Sequence, residues 1–163
     1  MAEPVRLLVV CLGNICRSPM AEGILRARIE ASPLRGRALV DSAGTGDWHV
    51  GRPPDPRAIA TAARHGVDIA GLRARQFRRA DAEQFDWLLC ADRDNLADVQ
   101  ARLQPDAHPR AALLLEWSGV GRALDVPDPY YGELDGFEHS WRLLEQAADG
   151  VVARLLSAPG GRG

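Results

Sequence analysis

Eight consecutive residues, Cys11-Leu12-Gly13-Asn14-Ile15-Cys16-Arg17-Ser18, carry the strongest chemical signal in the chain. Five residues separate a cysteine from an arginine, with Gly and Asn among them. Residues 5–10 (VRLLVV) read as a buried strand just before, and residues 18–30 as a helix just after. A loop entering a helix N-terminus turns successive N–H groups toward one point and forms an anion nest. Gly13 permits unusual φ; Asn14 tolerates left-handed geometry and can pin the loop with its amide. Arg17 can fork onto two phosphate oxygens. Cys11, beneath that anion, faces amides, a helix dipole and a guanidinium, each of which favours thiolate over thiol. The arrangement suits attack by sulfur on phosphorus. The plainer reading, a strand-ending cysteine and a surface arginine, does not account for the strand before, the helix after and the Gly-Asn within.

Two other segments bear on the same chemistry. In Asp128-Pro129-Tyr130-Tyr131, a carboxylic acid on a stiff loop could give its proton to a departing phenol oxygen, such as that of phosphotyrosine, and later activate water. Asp-Pro is also a common turn signal, and by itself the segment reads more readily as a turn. In residues 41–51 (DSAGTGDWHVG), Gly44-x-Gly46 suggests a nucleotide loop, but His49 stands where a third Gly is needed, and that reading fails. Trp48 is left with two readings, a ring stacking on a flat substrate or a loop Trp tucked into the core.

These residues need a frame. Strands are predicted over 5–10, 38–42, 85–90 and 111–115. Helices are predicted over 18–30, 55–65, 92–103 and 137–156. In the first, Ser18 is the expected N-cap, Pro19 the first helical residue, and Ala21, Ile24, Leu25 and Arg28 share a face. Gly66 suits the end of the second helix, and Gly150 is a candidate break in the last. Strand–helix alternation implies an α/β fold. It is a single-domain three-layer sandwich, with a central four-stranded parallel sheet, helices on both faces and the Cys11 loop after the first strand. The domain is expected over 1–157, with a flexible Gly/Pro-rich tail at 158–163.

Composition narrows the function further. The 163 residues are 46% hydrophobic and 26% charged with a formal net charge of −2, which argues against disorder and against a nucleic-acid partner. All 20 basic residues are Arg, so catalysis by a Lys amine and a Walker-type phosphate loop are excluded. Cys11, Cys16 and Cys90 form no secreted disulfide framework, and the four His lack zinc spacing, so no metal site is expected. The apolar run at 7–12 is too short to span a bilayer or serve as a signal peptide. No membrane insertion and a cytoplasmic location are expected. The basic run 73–79 (RARQFRR) reads as solvated surface or as a dock for acidic phosphopeptides.

The segments CLGNICRSPMAEG, SAGTGDWHVGRPPDPRA, FDWLLCADRDNL and DPYYGELDGFE, in this order, resemble the bacterial branch of the low-molecular-weight protein tyrosine phosphatases. The resemblance runs from Val5 to about Leu156. It implies hydrolysis of phosphotyrosine and small aryl phosphates through a phosphocysteine intermediate on Cys11, without cofactor or metal. It makes Arg17 and the amides from Leu12 to Arg17 the phosphate ligands, and Asp128 the general acid and then base. Asn14, Ser18, Ser42 and His65 match the family's loop-supporting network, in which Ser18 also donates to the Cys11 sulfur. Leu12, Trp48, Tyr130 and Tyr131 match the pocket entrance. Ser42 and His65 also fit a purely structural role. Tyr130 and Tyr131 match positions phosphorylated in some relatives. Cys16 fits either packing or a protective, redox-sensitive disulfide with Cys11. The implied partner is a phosphotyrosine-containing protein, with bacterial tyrosine kinases among the candidates, and the implied state a monomer or weak dimer. A thiol-dependent arsenate reductase shares the fold and the loop. It needs a relay of further thiols, and here only Cys90 lies in that region.

Overall fold

The computed structural model describes residues 3–157 apart from Ala123, Tyr131 and Glu133. The expected tail at 158–163 therefore lies outside the described residues, as does Tyr131. Four parallel strands, β1 (Val5–Cys11), β2 (Ala38–Gly44), β3 (Trp87–Cys90) and β4 (Ala111–Leu113), pair in the order β2-β1-β3-β4. In register, Cys11 faces Gly44, Val10 faces Cys90 and Cys90 faces Leu113, so the carboxyl ends of the strands form one edge. Ligand sites of open α/β sheets lie at that edge.

β1 is central, and its apolar run from Leu7 to Cys11 is what burial on both faces requires. Alternate residues enter different layers. Leu7, Val9 and Cys11 join Met20, Ile24, Leu25, Phe137 and Trp141; Leu8 and Val10 join Phe77, Leu88, Cys90, Val99 and Leu103. The first layer is built by α1 (Arg17–Glu30), α2 (Pro56–Arg64), α5 (Leu114–Trp117) and α6 (Leu134–Ser157). The second is built by α3 (Asp81–Gln84), α4 (Arg93–Ala101) and a 3-10 turn at Pro105–Arg110.

Several expected boundaries move for local reasons. β2 continues to Gly44 because its end pairs with the end of β1. β3 begins at Trp87, and the chain leaves β4 after Leu113 to form α5, which the apolar run 111–115 hid. α1 starts at Arg17, two residues before the expected first helical residue Pro19, with Cys16 at the N-cap and no side-chain cap bond, so Ser18 is inside the helix rather than capping it. α6 runs unbroken through Gly150. A Cβ there would meet the Ser118 carbonyl oxygen at 2.0 Å, so this glycine provides room for α5 and does not break the helix.

Candidate active site

The loop between β1 and α1 is held from outside by its carbonyls. Thr45 N–H donates to Cys11 O (2.9 Å), Gly46 N–H to Leu12 O (2.9 Å), Asp55 N–H to Ile15 O (2.8 Å) and Met20 N–H to Cys16 O (3.2 Å). In a trans peptide the next N–H points opposite to the carbonyl. Those of Leu12, Gly13, Cys16 and Arg17 are thereby turned away from these outer partners. Asn14, at φ 57°, takes the left-handed turn that makes this curvature possible. Gly13 does not adopt positive φ, contrary to expectation. It is small because a Cβ there would lie 2.9 Å from His49 Cδ2. Gly44 serves the same end beneath the loop, where a Cβ would meet Leu12 O at 2.7 Å.

Under the loop runs a chain of buried hydrogen bonds. Arg75 N–H donates to Asn14 Oδ1 (3.0 Å), which fixes the orientation of that amide. Asn14 Nδ2 then donates to both Ser18 Oγ (2.8 Å) and Ser42 Oγ (2.9 Å). Ser42 Oγ donates to Glu22 Oε1 (2.6 Å). Ser18 Oγ lies 3.0 Å from Cys11 Sγ. Because Asn14 already donates to Ser18, the Ser18 hydroxyl proton is left for the sulfur. His65 does not belong to this network: at the C-terminal end of α2, it stacks on Trp141 and meets Glu138 at 2.9 Å. Glu22, 2% exposed, closes the network instead. Burial raises its carboxyl above the ordinary range, outweighing its Ser42 hydrogen bond and its Arg26 ion pair.

Arg17 is 2% exposed and spans the site. Its Nη1 donates to Asp92 Oδ2 (2.7 Å) and Val126 O (2.9 Å), and its Nη2 lies 3.4 Å from Asp128 Oδ2. Burial disfavours the cation, but Cys11, Asp92 and Asp128 outweigh it and its pKa rises. Asp92 also caps α4 by accepting from Asn95 N–H (2.7 Å). Asp128 Oδ1 accepts from Tyr130 N–H (3.0 Å), an Asx turn, so the turn and the candidate acid are one feature.

A pocket of about 350 Å³ opens here, with Cys11, Gly13, Ile15, Cys16 and Arg17 at its base and Leu12, Trp48, His49, Asp128 and Tyr130 around it. Trp48 is 69% exposed at this mouth, not tucked into the core. Its ring lies where a Cβ on Gly46 would be. The three cysteines are free thiols. Burial pushes the Cys16 thiol upward, with Asp55 adding to the effect, and burial does the same to Cys90. Cys90 packs among Leu8 and Val10, in the layer opposite Cys11. The basic run is divided: Arg75 pairs with Asp41 and Asp81, and Arg73 donates to the carbonyls of Ala70 and Leu72, while Arg78 and Arg79 are exposed. Among the described residues no three His, Cys, Asp or Glu side chains gather as metal ligands would, and no helix is long and apolar enough to cross a membrane.

Sequence reasoning missed Glu22, Asp92, Asp55, Arg57, Arg75 and His49. Asp92 had a usable signal, since it lies two residues past the strand that ends at Cys90 on the ligand-binding edge. Glu22 had none, for nothing in a polar residue of a helix says that the helix is buried on nearly all sides.

Residues 6–158 match the family model for low molecular weight phosphotyrosine protein phosphatase. The chain is 41% identical to a low molecular weight protein-tyrosine-phosphatase of Streptomyces coelicolor, over 96% of this chain and 97% of that one. Among solved structures it is similar to YfkJ from Bacillus subtilis (TM-score 0.88, 34% identity, 95% and 96% coverage). It is also similar to Wzb from Vibrio vulnificus in complex with benzylphosphonate (TM-score 0.82, 30% identity, 93% and 99% coverage).

Proposed function

The chain belongs to the low molecular weight phosphotyrosine protein phosphatase family, and from that premise we propose that it hydrolyses phosphotyrosine through a phosphocysteine formed on Cys11. The observation that carries this reading is the meeting, at one 350 Å³ pocket, of the Cys11 sulfur, the buried Arg17 guanidinium and the Asp128 carboxyl. In the first step the Cys11 thiolate attacks phosphorus and the phosphorus–aryl oxygen bond breaks. Arg17 and the loop N–H groups hold the phosphoryl oxygens, and Asp128 gives its proton to the departing phenol oxygen. In the second, Asp128 takes a proton from water as that water attacks phosphorus. The sulfur leaves as thiolate, stabilised by the Ser18 hydroxyl. Leu12, Trp48 and Tyr130 provide an apolar mouth for an aryl group; a benzylphosphonate complex of Wzb accords with such a substrate. None of these steps asks for a metal.

The partner is a protein bearing phosphotyrosine, met in the cytoplasm. Cys16, in the same loop as Cys11, is held as a neutral thiol by burial and can capture an oxidised Cys11 as a reversible disulfide. The arsenate reductase alternative lacks a relay: Cys90 faces the other side of the sheet from Cys11.

Single-turnover kinetics on a series of aryl phosphates test the reading. Cys11→Ser should abolish turnover, because a neutral hydroxyl replaces the nucleophile. Asp128→Asn should slow phosphotyrosine cleavage by about 10²–10⁴-fold and spare activated nitrophenyl esters, which leave without a proton. Turnover by Cys11→Ser within tenfold of wild type, or the same leaving-group dependence in Asp128→Asn and wild type, would overturn the respective role.

A further inference from the structure

We propose that Arg57 is a positioning residue for the proton donor, clamping the loop that carries Asp128 against the phosphate-binding loop. The inference rests on the reading of Asp128 as the acid. Arg57 lies in the first turn of α2, outside the pocket lining. Its Nε and Nη2 meet Asp55 Oδ1 and Oδ2 at 3.0 and 2.9 Å, a two-point grip that sets the guanidinium plane. The same guanidinium reaches across to the Asp128 loop, where Nη2 donates to Tyr130 O (2.9 Å) and Nη1 to Gly132 O (3.1 Å). Its Cζ lies 4.7 Å from the Phe137 ring centre and 5.6 Å from that of Tyr130.

Both ends of this clamp bear on the site. Asp55 N–H donates to Ile15 O, inside the phosphate-binding loop. Tyr130, whose carbonyl Arg57 holds, donates its own N–H to Asp128 Oδ1. A short path of hydrogen bonds therefore runs from Ile15 through Asp55 and Arg57 to the Asp128 carboxyl. On the upstream side of Asp128, Val126 O is held by Arg17 and Pro127 O by Ser140 Oγ. On the downstream side Arg57 holds the carbonyls of Tyr130 and Gly132, while the Pro129 carbonyl is held within the loop by Gly132 N–H. Four donors in one rigid plane are needed, and an ammonium cannot supply them.

The Cys11 loop keeps its own supports without Arg57, in Thr45, Gly46 and Asn14. Loss of Arg57 should therefore leave sulfur attack intact and displace the acid. A displacement of about 1 Å can cost on the order of 100-fold. Arg57→Ala should slow phosphoenzyme formation from phosphotyrosine by roughly 10- to 100-fold, and from a dinitrophenyl phosphate by less than about threefold. Vanadate inhibition should change by less than about threefold. In the Asp128→Asn background, adding Arg57→Ala should cost less than about threefold more, because the group it positions is gone. Arg57→Lys, which keeps the charge but not the fork, should show the same pattern, and it carries the test if the alanine variant unfolds. A uniform loss across all leaving groups, or additive losses in the double variant, would overturn the clamp. So would Arg57 variants that match wild type while Asp128→Asn shows its expected deficit. If Asp128→Asn itself shows no leaving-group dependence, the acid assignment falls first and the clamp with it.

Discussion

Asn14 ties three separate segments to the phosphate-binding loop through one side chain. It adopts a conformation that costs an L-residue about 1–2 kcal/mol, and its amide answers with three hydrogen bonds, to Ser18, Ser42 and Arg75. The chain it organises ends on Glu22, a carboxyl whose pKa is raised in the fold by burial. A raised folded pKa leaves stability intact below the unfolded pKa and removes it as pH climbs through the folded value. Wild type should thus lose stability relative to Glu22→Gln as pH rises from about 4 toward neutrality. The amide oxygen of glutamine can still accept from Ser42, so the network is kept. Thermal unfolding of both proteins from pH 4 to 8 measures this. A difference in Tm that is constant, or that moves the other way, would show that the buried charge carries no penalty.

Elements set the distances between these residues. α6 crosses both α1 and α5, and Arg28 on α1 reaches Asp149 (2.9 Å) and Glu145 (3.5 Å) on α6. Gly150 is where α6 passes the Ser118 backbone at the end of α5. Helix propensity alone would make Gly150→Ala stabilising by about 1 kcal/mol. A Cβ 2.0 Å from a carbonyl oxygen reverses that sign, since backbone rather than a flexible side chain must move. We expect a net loss of roughly 1–3 kcal/mol, a fall in Tm of about 2–12 °C for a chain of this size. Calorimetry that finds the variant more stable would mean that α5 and α6 part easily here.

At the scale of the molecule, the fold converges two distant stretches of chain on one edge of the sheet. Arg17 is the link, with Asp92, Val126 and Asp128 all within its reach. Ligation of a tetrahedral oxyanion should therefore stabilise the whole domain. Inorganic phosphate at about 100 times its Kd should add about 2.7 kcal/mol to unfolding, roughly 5–11 °C in Tm. Cys11→Ser should keep most of that shift, since the loop N–H groups and Arg17 remain, and Arg17→Lys should lose most of it. Prolonged dialysis against a chelator should leave both the shift and the turnover unchanged. Activity lost on dialysis and restored by a divalent ion would overturn the metal-free mechanism.

Much of this was readable from residue order alone, because its causes are local. A buried parallel strand shows as an unbroken apolar run, and Cys-x5-Arg with Gly-Asn inside it shapes a loop from its own backbone preferences. Asp128 was legible as the head of an Asp-Pro turn, and the same carboxyl makes that turn; its reading as the proposed acid came with the family resemblance, not with the turn. What stayed hidden depends on contacts between segments far apart in sequence. The room that Gly13 leaves for His49, the close passage of Gly150 over Ser118, and the burial of Glu22 each depend on what a second segment places there. His65 was matched to the loop network from its place in the chain, yet the packing of α2 against α6 turns it onto Trp141 and Glu138. Side-chain chemistry and short-range backbone preference are properties of residue order; which buried polar groups meet is decided only when the layers close.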